Sequence, residues 1–150
     1  MAKPSPLQIL IEYAQHQRDL RSRALSTALG SETSAAARLR LLTDYRRDYL
    51  LSYREATERG VSTHALVNYQ DFLTKLDRAI GQQETACTIT RTEVSNARTE
   101  LIRSEKRRHS LDILNQRRVT AARRLDDRRE RQANDEIAAR IARQAPRRDR

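Results

Sequence analysis

At 150 residues the chain suits one domain, yet it holds one Phe, no Trp and one Met, too few large apolar side chains to fill a globular centre. Charged residues make up 33% of it, and only three Gly and three Pro are available for turns, a composition of long helices or coiled coil rather than compact folds. The net charge of +10 favours an acidic partner: nucleic acid, anionic lipid or an acidic protein face.

The first helix opens on Pro4-Ser5-Pro6-Leu7-Gln8. Ser5 is a candidate N-cap, and Pro6 suits the first helical position, where its missing N–H costs nothing. Gln8 completes a Ser-x-x-Gln capping box. The apolar patch that follows at 7–13 is interrupted by Gln8 and Glu12, too short and polar for a signal peptide or a membrane span. No further proline occurs before Pro146. Of the three glycines, Gly60 has the strongest turn context: Arg59-Gly60-Val61-Ser62-Thr63 offers a left-handed C-cap followed by two candidate N-caps. The expected elements are helix 1 over about 5–58, a turn over about 59–62 and helix 2 over about 63–143, within a single domain spanning 1–150. A break at Gly30-Ser31-Glu32 would instead give a three-helix bundle.

Periodicity sets the pairing. In helix 2 a heptad seam runs through Leu66, Tyr69, Leu73, Leu76, Ile80, Gln83, Cys87, Thr90, Val94, Ala97, Leu101, Ser104, Arg108 and Leu111. In helix 1 the matching seam is expected at Leu25, Leu29, Glu32, Ala36, Leu39, Thr43, Arg46, Leu50 and Tyr53. Pairing Leu50 with Leu73, Tyr53 with Tyr69 and Leu29 with Val94 centres every layer near position 61, where the glycine turn was placed on other grounds. The fold class is therefore all-α, a long two-helix antiparallel coiled-coil hairpin. Glu32, Thr43, Arg46 and Gln83 on the seam predict loose packing around them.

A second line lies beside this seam: Leu42, Tyr45 and Tyr49 on helix 1, with Phe72, Leu76, Ala79 and Gln83 on helix 2. Register sets these two lines level, with Arg38 opposite Gln83, so they can form one composite face. Five of the six aromatic residues fall between Tyr45 and Phe72. Aromatics beside a two-stranded seam stay partly exposed, and contiguous exposed aromatics mark interfaces. The plainer reading is that Tyr45 and Tyr49 widen the core near the tip.

Beyond about residue 117, helix 2 has no partner in helix 1 and should overhang. From Arg103 onward there are sixteen Arg and Lys against eight Asp and Glu. Mixed-sign runs such as 123–131 (RRLDDRRER) fit a solvated helix laced with ion pairs. A basic coiled-coil nucleic-acid binder is the alternative for this charge.

The segment Leu41-Leu42-Thr43-Asp44-Tyr45 with Tyr49, and then Asn68-Tyr69-Gln70-Asp71-Phe72-Leu73 with Leu76, Ala79 and Ile80, resembles the flagellar export protein FliJ family. The likeness at residue level covers about 41–83; Arg38 stands where relatives can carry Gln, and Gln83 where some carry His. The resemblance implies a cytoplasmic component of the flagellar type III export apparatus, peripherally associated with the inner membrane at the flagellar base. Family members are similar to the central stalk of rotary ATPases. The implied partners are the export ATPase hexamer, the membrane export gate and export chaperones. Gate binding would fall to Arg38, Leu42, Tyr45, Tyr49, Phe72, Leu76, Ala79 and Gln83. The ATPase ring would be met by the N-terminal turn and the basic overhang, with Arg117, Arg118, Arg123 and Arg124. The equivalent stalk protein of a virulence secretion system remains a second possibility.

Catalytic chemistry is not expected. His16, His64 and His109 are scattered along the helices, and no phosphate-binding Gly-rich loop or zinc spacing occurs. Cys87 sits on the seam as a small core residue and, being alone, forms no internal disulfide, which fits a reducing compartment. No cofactor, small-molecule substrate or nucleic acid is expected.

Overall fold

The computed structural model describes residues 4–145; Pro146 and the outer limits of the expected domain lie outside the described residues. Two helices make up the fold, α1 over Pro6–Arg59 and α2 over Thr63–Gln144, packed against each other as an all-α hairpin.

Local chemistry sets the helix ends. At the start of α1 the Ser5 hydroxyl accepts the Gln8 N–H at 3.3 Å, satisfying one donor that the first turn leaves without a partner. The expected capping box is not closed, because the Gln8 amide donates forward to Glu12 at 3.1 Å. At the turn Gly60 adopts a φ of 80°, and its N–H reaches the Thr57 carbonyl at 3.2 Å. A side chain there would be strained, which is why glycine ends this helix. Ser62, not Thr63, caps α2, its hydroxyl accepting the Ala65 N–H at 3.3 Å. Gly30 lies inside α1, so helix 1 continues where a three-helix bundle would have required a break.

Contacts group into two units, one of residues 16–105 and one combining the N-terminal residues through Gln15 with those from Lys106 onward. In the first unit Ala35, Leu76, Cys87 and Val94 are buried. The α2 seam is as expected from its heptads, with every member from Leu66 to Leu111 buried or half-buried. The α1 seam differs in one of its two rows. Leu29, Ala36 and Thr43 are exposed, though Leu50 of the same row stays half-buried as expected, while Ala28, Ala35, Leu42 and Tyr49 turn inward with Leu25, Glu32, Leu39, Arg46 and Tyr53. The cause is a doubled signal: Ala28-Leu29, Ala35-Ala36 and Tyr49-Leu50 put apolar residues at adjacent positions, and sequence spacing alone fits either phase.

Two of the polar residues on the seam find partners on the other helix. Arg46 forms a forked ion pair with Asp77. The Gln83 side chain donates to the Ala35 carbonyl at 3.0 Å, and Arg18 pairs with Glu105 at 3.6 Å. The Gln83 bond satisfies a half-buried amide that would otherwise cost free energy, while the two ion pairs, largely exposed, add cross-helix contacts that favour one register.

In the second unit Ala14 is buried and Arg108 donates to the Gln15 side chain at 2.9 Å. Every described residue from Gln116 to Ala145 is exposed. This stretch is helical to Gln144 and, where the mixed-sign runs predict a lacing of ion pairs, shows one among the described residues, Arg129 with Asp126 at 3.7 Å.

Candidate functional site: an aromatic face near the turn

Five aromatic rings near the turn form one connected cluster. Tyr53 contacts Tyr69 at 5.6 Å between centroids, Tyr69 contacts Tyr49 at 5.2 Å, and Tyr49 contacts Phe72 at 4.5 Å. Tyr45 closes the group, 6.1 Å from Phe72 in an edge-on arrangement and 6.4 Å from Tyr49. Such tilted and edge-on pairs match the ring quadrupoles and hold both helices in one local geometry.

The cluster has an inner and an outer part. Leu76 is 6% exposed and belongs to the core. Leu42, Tyr49, Ala79 and Gln83 are half-buried. Tyr45, 52% exposed, and Phe72, 37% exposed, face outward on the same flank, and Arg38 is exposed beside them. The expected face is therefore brought together, but in two tiers: Leu42, Tyr49 and Leu76 belong to the inter-helix seam, and Tyr45, Phe72 and Arg38 form the accessible surface above it. Below Arg38 and Gln83 the flank opens into a shallow groove of about 470 Å³, lined by small residues including Ser31, Ser34, Ala35 and Ala86.

Electrostatics follow the same division. Burial holds the Tyr49 hydroxyl above its ordinary range, with Tyr69 and Tyr45 adding to the effect. The hydrogen bond from Arg46 lowers the Asp77 carboxyl against a smaller opposing effect of burial, and charge attraction adds to the lowering. The same hydrogen bond holds the Arg46 guanidinium more firmly protonated.

One residue of this flank escaped the sequence reading. Leu41 is 71% exposed, the highest value among the large apolar residues described, and it lies one helical turn from Tyr45. It lies outside both the expected seam and the expected second line, so periodicity did not single it out. Arg117, Arg118, Arg123 and Arg124 lie exposed on α2, and none of the four forms an ion pair among the described residues. No group of three or more His, Cys, Asp or Glu among the described residues could hold a metal ion.

The family described as Flagellar FliJ protein matches residues 3–147. The chain belongs to the FliJ family. The Flagellar FliJ protein of Salmonella typhi is 26% identical over 146 residues, covering 97% of this chain and 99% of the relative. The Flagellar FliJ protein of Escherichia coli is 25% identical with the same coverage. A solved structure of a YscO homolog from Chlamydia trachomatis shares the fold, with a TM-score of 0.71 at 14% identity over 95% of this chain and 96% of that one. FliJ membership makes the chain a component of flagellar type III export, and FliJ proteins are non-catalytic as a family. Among the described residues no helix of this FliJ protein is long and apolar enough to cross a membrane.

Proposed function

We propose that the chain is a non-catalytic stalk of the flagellar export apparatus, working in the cytoplasm at the inner-membrane base of the flagellum. It binds two partners through separate surfaces. The aromatic face of Arg38, Leu42, Tyr45, Tyr49, Phe72, Leu76, Ala79 and Gln83 docks on the cytoplasmic part of the membrane export gate. The N-terminal turn and the basic end of α2, with Arg117, Arg118, Arg123 and Arg124, engage the export ATPase ring. Delivery of export chaperones and their cargo follows from bridging these two. Any influence on ATP turnover arises from favouring one assembly or conformation of the ring.

The observation that carries the gate assignment is the Tyr45–Phe72 pair, two rings from different helices in contact and exposed on one flank. A stable hairpin does not need these rings outside its seam, whereas interfaces draw much of their energy from aromatic anchors. The arginine-rich end supports the second surface, because its charge is exposed and largely unspent on internal pairs.

The test is co-purification with the export ATPase and with the cytoplasmic domain of the gate, measured separately. Tyr45→Ala is expected to weaken gate binding alone. Removal of residues from Val119 onward is expected to weaken ATPase binding alone. Equal loss of both partners in either variant contradicts the division.

A further inference from the structure

We infer that the hairpin carries a built-in hinge: residues 26–34 of α1 and 88–96 of α2 form a soft waist at which both helices bend together. The inference stands apart from either docking surface.

Composition weakens both helices at the same level. The cross-helix pairs Arg18–Glu105 and Arg46–Asp77 set 26–34 beside 88–96. On α1, six of these nine residues are Ser, Thr or Gly; on α2, five of nine are Ser, Thr or Asn. Such residues are mediocre helix formers, and glycine is the weakest of them. Gly30-Ser31 is a pair of the kind at which helices kink, and a methyl group on Gly30 would meet nothing within 4 Å. α1 runs through the pair unbroken, so it is a weak place in a continuous helix.

Hydrogen bonding acts in the same direction. On α1 the Thr27 hydroxyl donates to the Arg23 carbonyl at 3.1 Å, and Thr33 donates to the Leu29 carbonyl at 3.0 Å. On α2, Thr88 donates to Glu84 at 3.1 Å, Thr90 to Cys87 at 2.9 Å and Thr92 to Thr88 at 3.1 Å. Each bond gives a helix carbonyl a second donor, which bends the helix and slightly destabilises it.

Packing does not compensate. The seam here consists of Ala28, Glu32, Thr90 and Val94, of which Val94 alone is buried. Among the described residues no hydrogen bond or ion pair crosses between the helices from the Arg18–Glu105 pair to the Gln83 bond with Ala35. The groove beside Thr27, Gly30, Ser31 and Thr90 leaves one flank of the waist without bracing side chains. Toward the tip, by contrast, Leu76 is buried, five rings are in contact and Arg46 reaches Asp77. A stretch with few buried apolar contacts opens more easily than its neighbours. The aromatic part of the hairpin therefore swings about the waist as one body.

The test is residue-resolved hydrogen exchange of the full chain, joined to residual dipolar couplings along α1. We expect amide protection over 26–34 and 88–96 to be about tenfold or more below that over 39–53 and 66–80. The couplings of 16–25 and 39–53 should require different degrees of alignment. The double variant Gly30→Ala, Ser31→Ala should raise protection severalfold in 26–34 and in the unsubstituted 88–96, and bring the two alignments together. Waist protection equal to that on the tip side, or one rigid alignment for both parts of α1, overturns the hinge. Unchanged exchange in the double variant overturns the assignment to Gly30-Ser31, and a gain confined to α1 overturns the joint bending of the two helices.

Discussion

Arg46 of α1 and Asp77 of α2 join the two helices by a fork, Nε on one carboxylate oxygen and Nη2 3.3 Å from the other. An arginine at a seam position would ordinarily weaken a coiled coil; here its long stem packs inward while its head reaches a carboxylate on the neighbouring helix. The pair opposes a slip of α2 away from the tip, because a one-heptad slide in that direction would bring Gln70 to the place of Asp77.

The lowered Asp77 carboxyl gives this pair a pH signature. Its contribution is present above the ordinary carboxylate value of about 4 and is lost as pH falls through the lower folded-state value. Melting temperatures of wild type and Asp77→Asn should differ near neutrality and converge under strong acid. A difference that persists undiminished in acid contradicts the assignment.

Tyr49 predicts the opposite limb. Its hydroxyl is held above the ordinary range by burial, so the stability it contributes is complete below about 10 and declines as pH rises through the folded value. Tyr49→Phe should retain more of its neutral-pH stability in strong alkali than wild type does, as followed by circular dichroism.

The two tiers of the aromatic face should separate on mutation. Leu76→Ala removes a buried side chain and is expected to cost about 2–3 kcal/mol. Leu42→Ala should cost less, since Leu42 is only half-buried. Tyr45→Ala loses two ring contacts at an exposed site and is expected to cost about 1 kcal/mol or less. Chemical denaturation of the three variants checks the order.

The glycines divide by backbone conformation. Gly60→Ala forces a side chain into a φ of 80° and should destabilise by about 1 kcal/mol. Gly30→Ala places a methyl group in open space within α1 and should stabilise by up to about 1 kcal/mol through helix propensity. Thermal melts of the two variants should therefore move in opposite directions.

The hairpin was legible in the sequence because α2 carries one unambiguous heptad row and Gly60 supplies one strong turn. The residues that misled were neighbours of like character. Ala28 and Leu29, Ala35 and Ala36, and Tyr49 and Leu50 satisfy the α1 pattern in either phase, and only packing against α2 decides between them. That decision moved Leu42 and Tyr49 into the seam and left Leu29, Ala36 and Thr43 at the surface. The partners of Arg46 and Gln83 were likewise hidden, since a polar residue on a heptad seam reveals a conflict but not the group that resolves it.

The single native cysteine gives the most direct test of the hairpin and its register. Cys87 is buried on α2, and the register set by the Gln83 bond to the Ala35 carbonyl places Ala35 level with it. Under mild oxidation of the dilute protein, Ala35→Cys should form an intramolecular disulfide with Cys87, while Leu42→Cys, about 10 Å further along α1, should not. Covalent dimers as the sole product of Ala35→Cys, or an intramolecular bridge from Leu42→Cys in its place, would contradict the fold-back on which both docking surfaces depend.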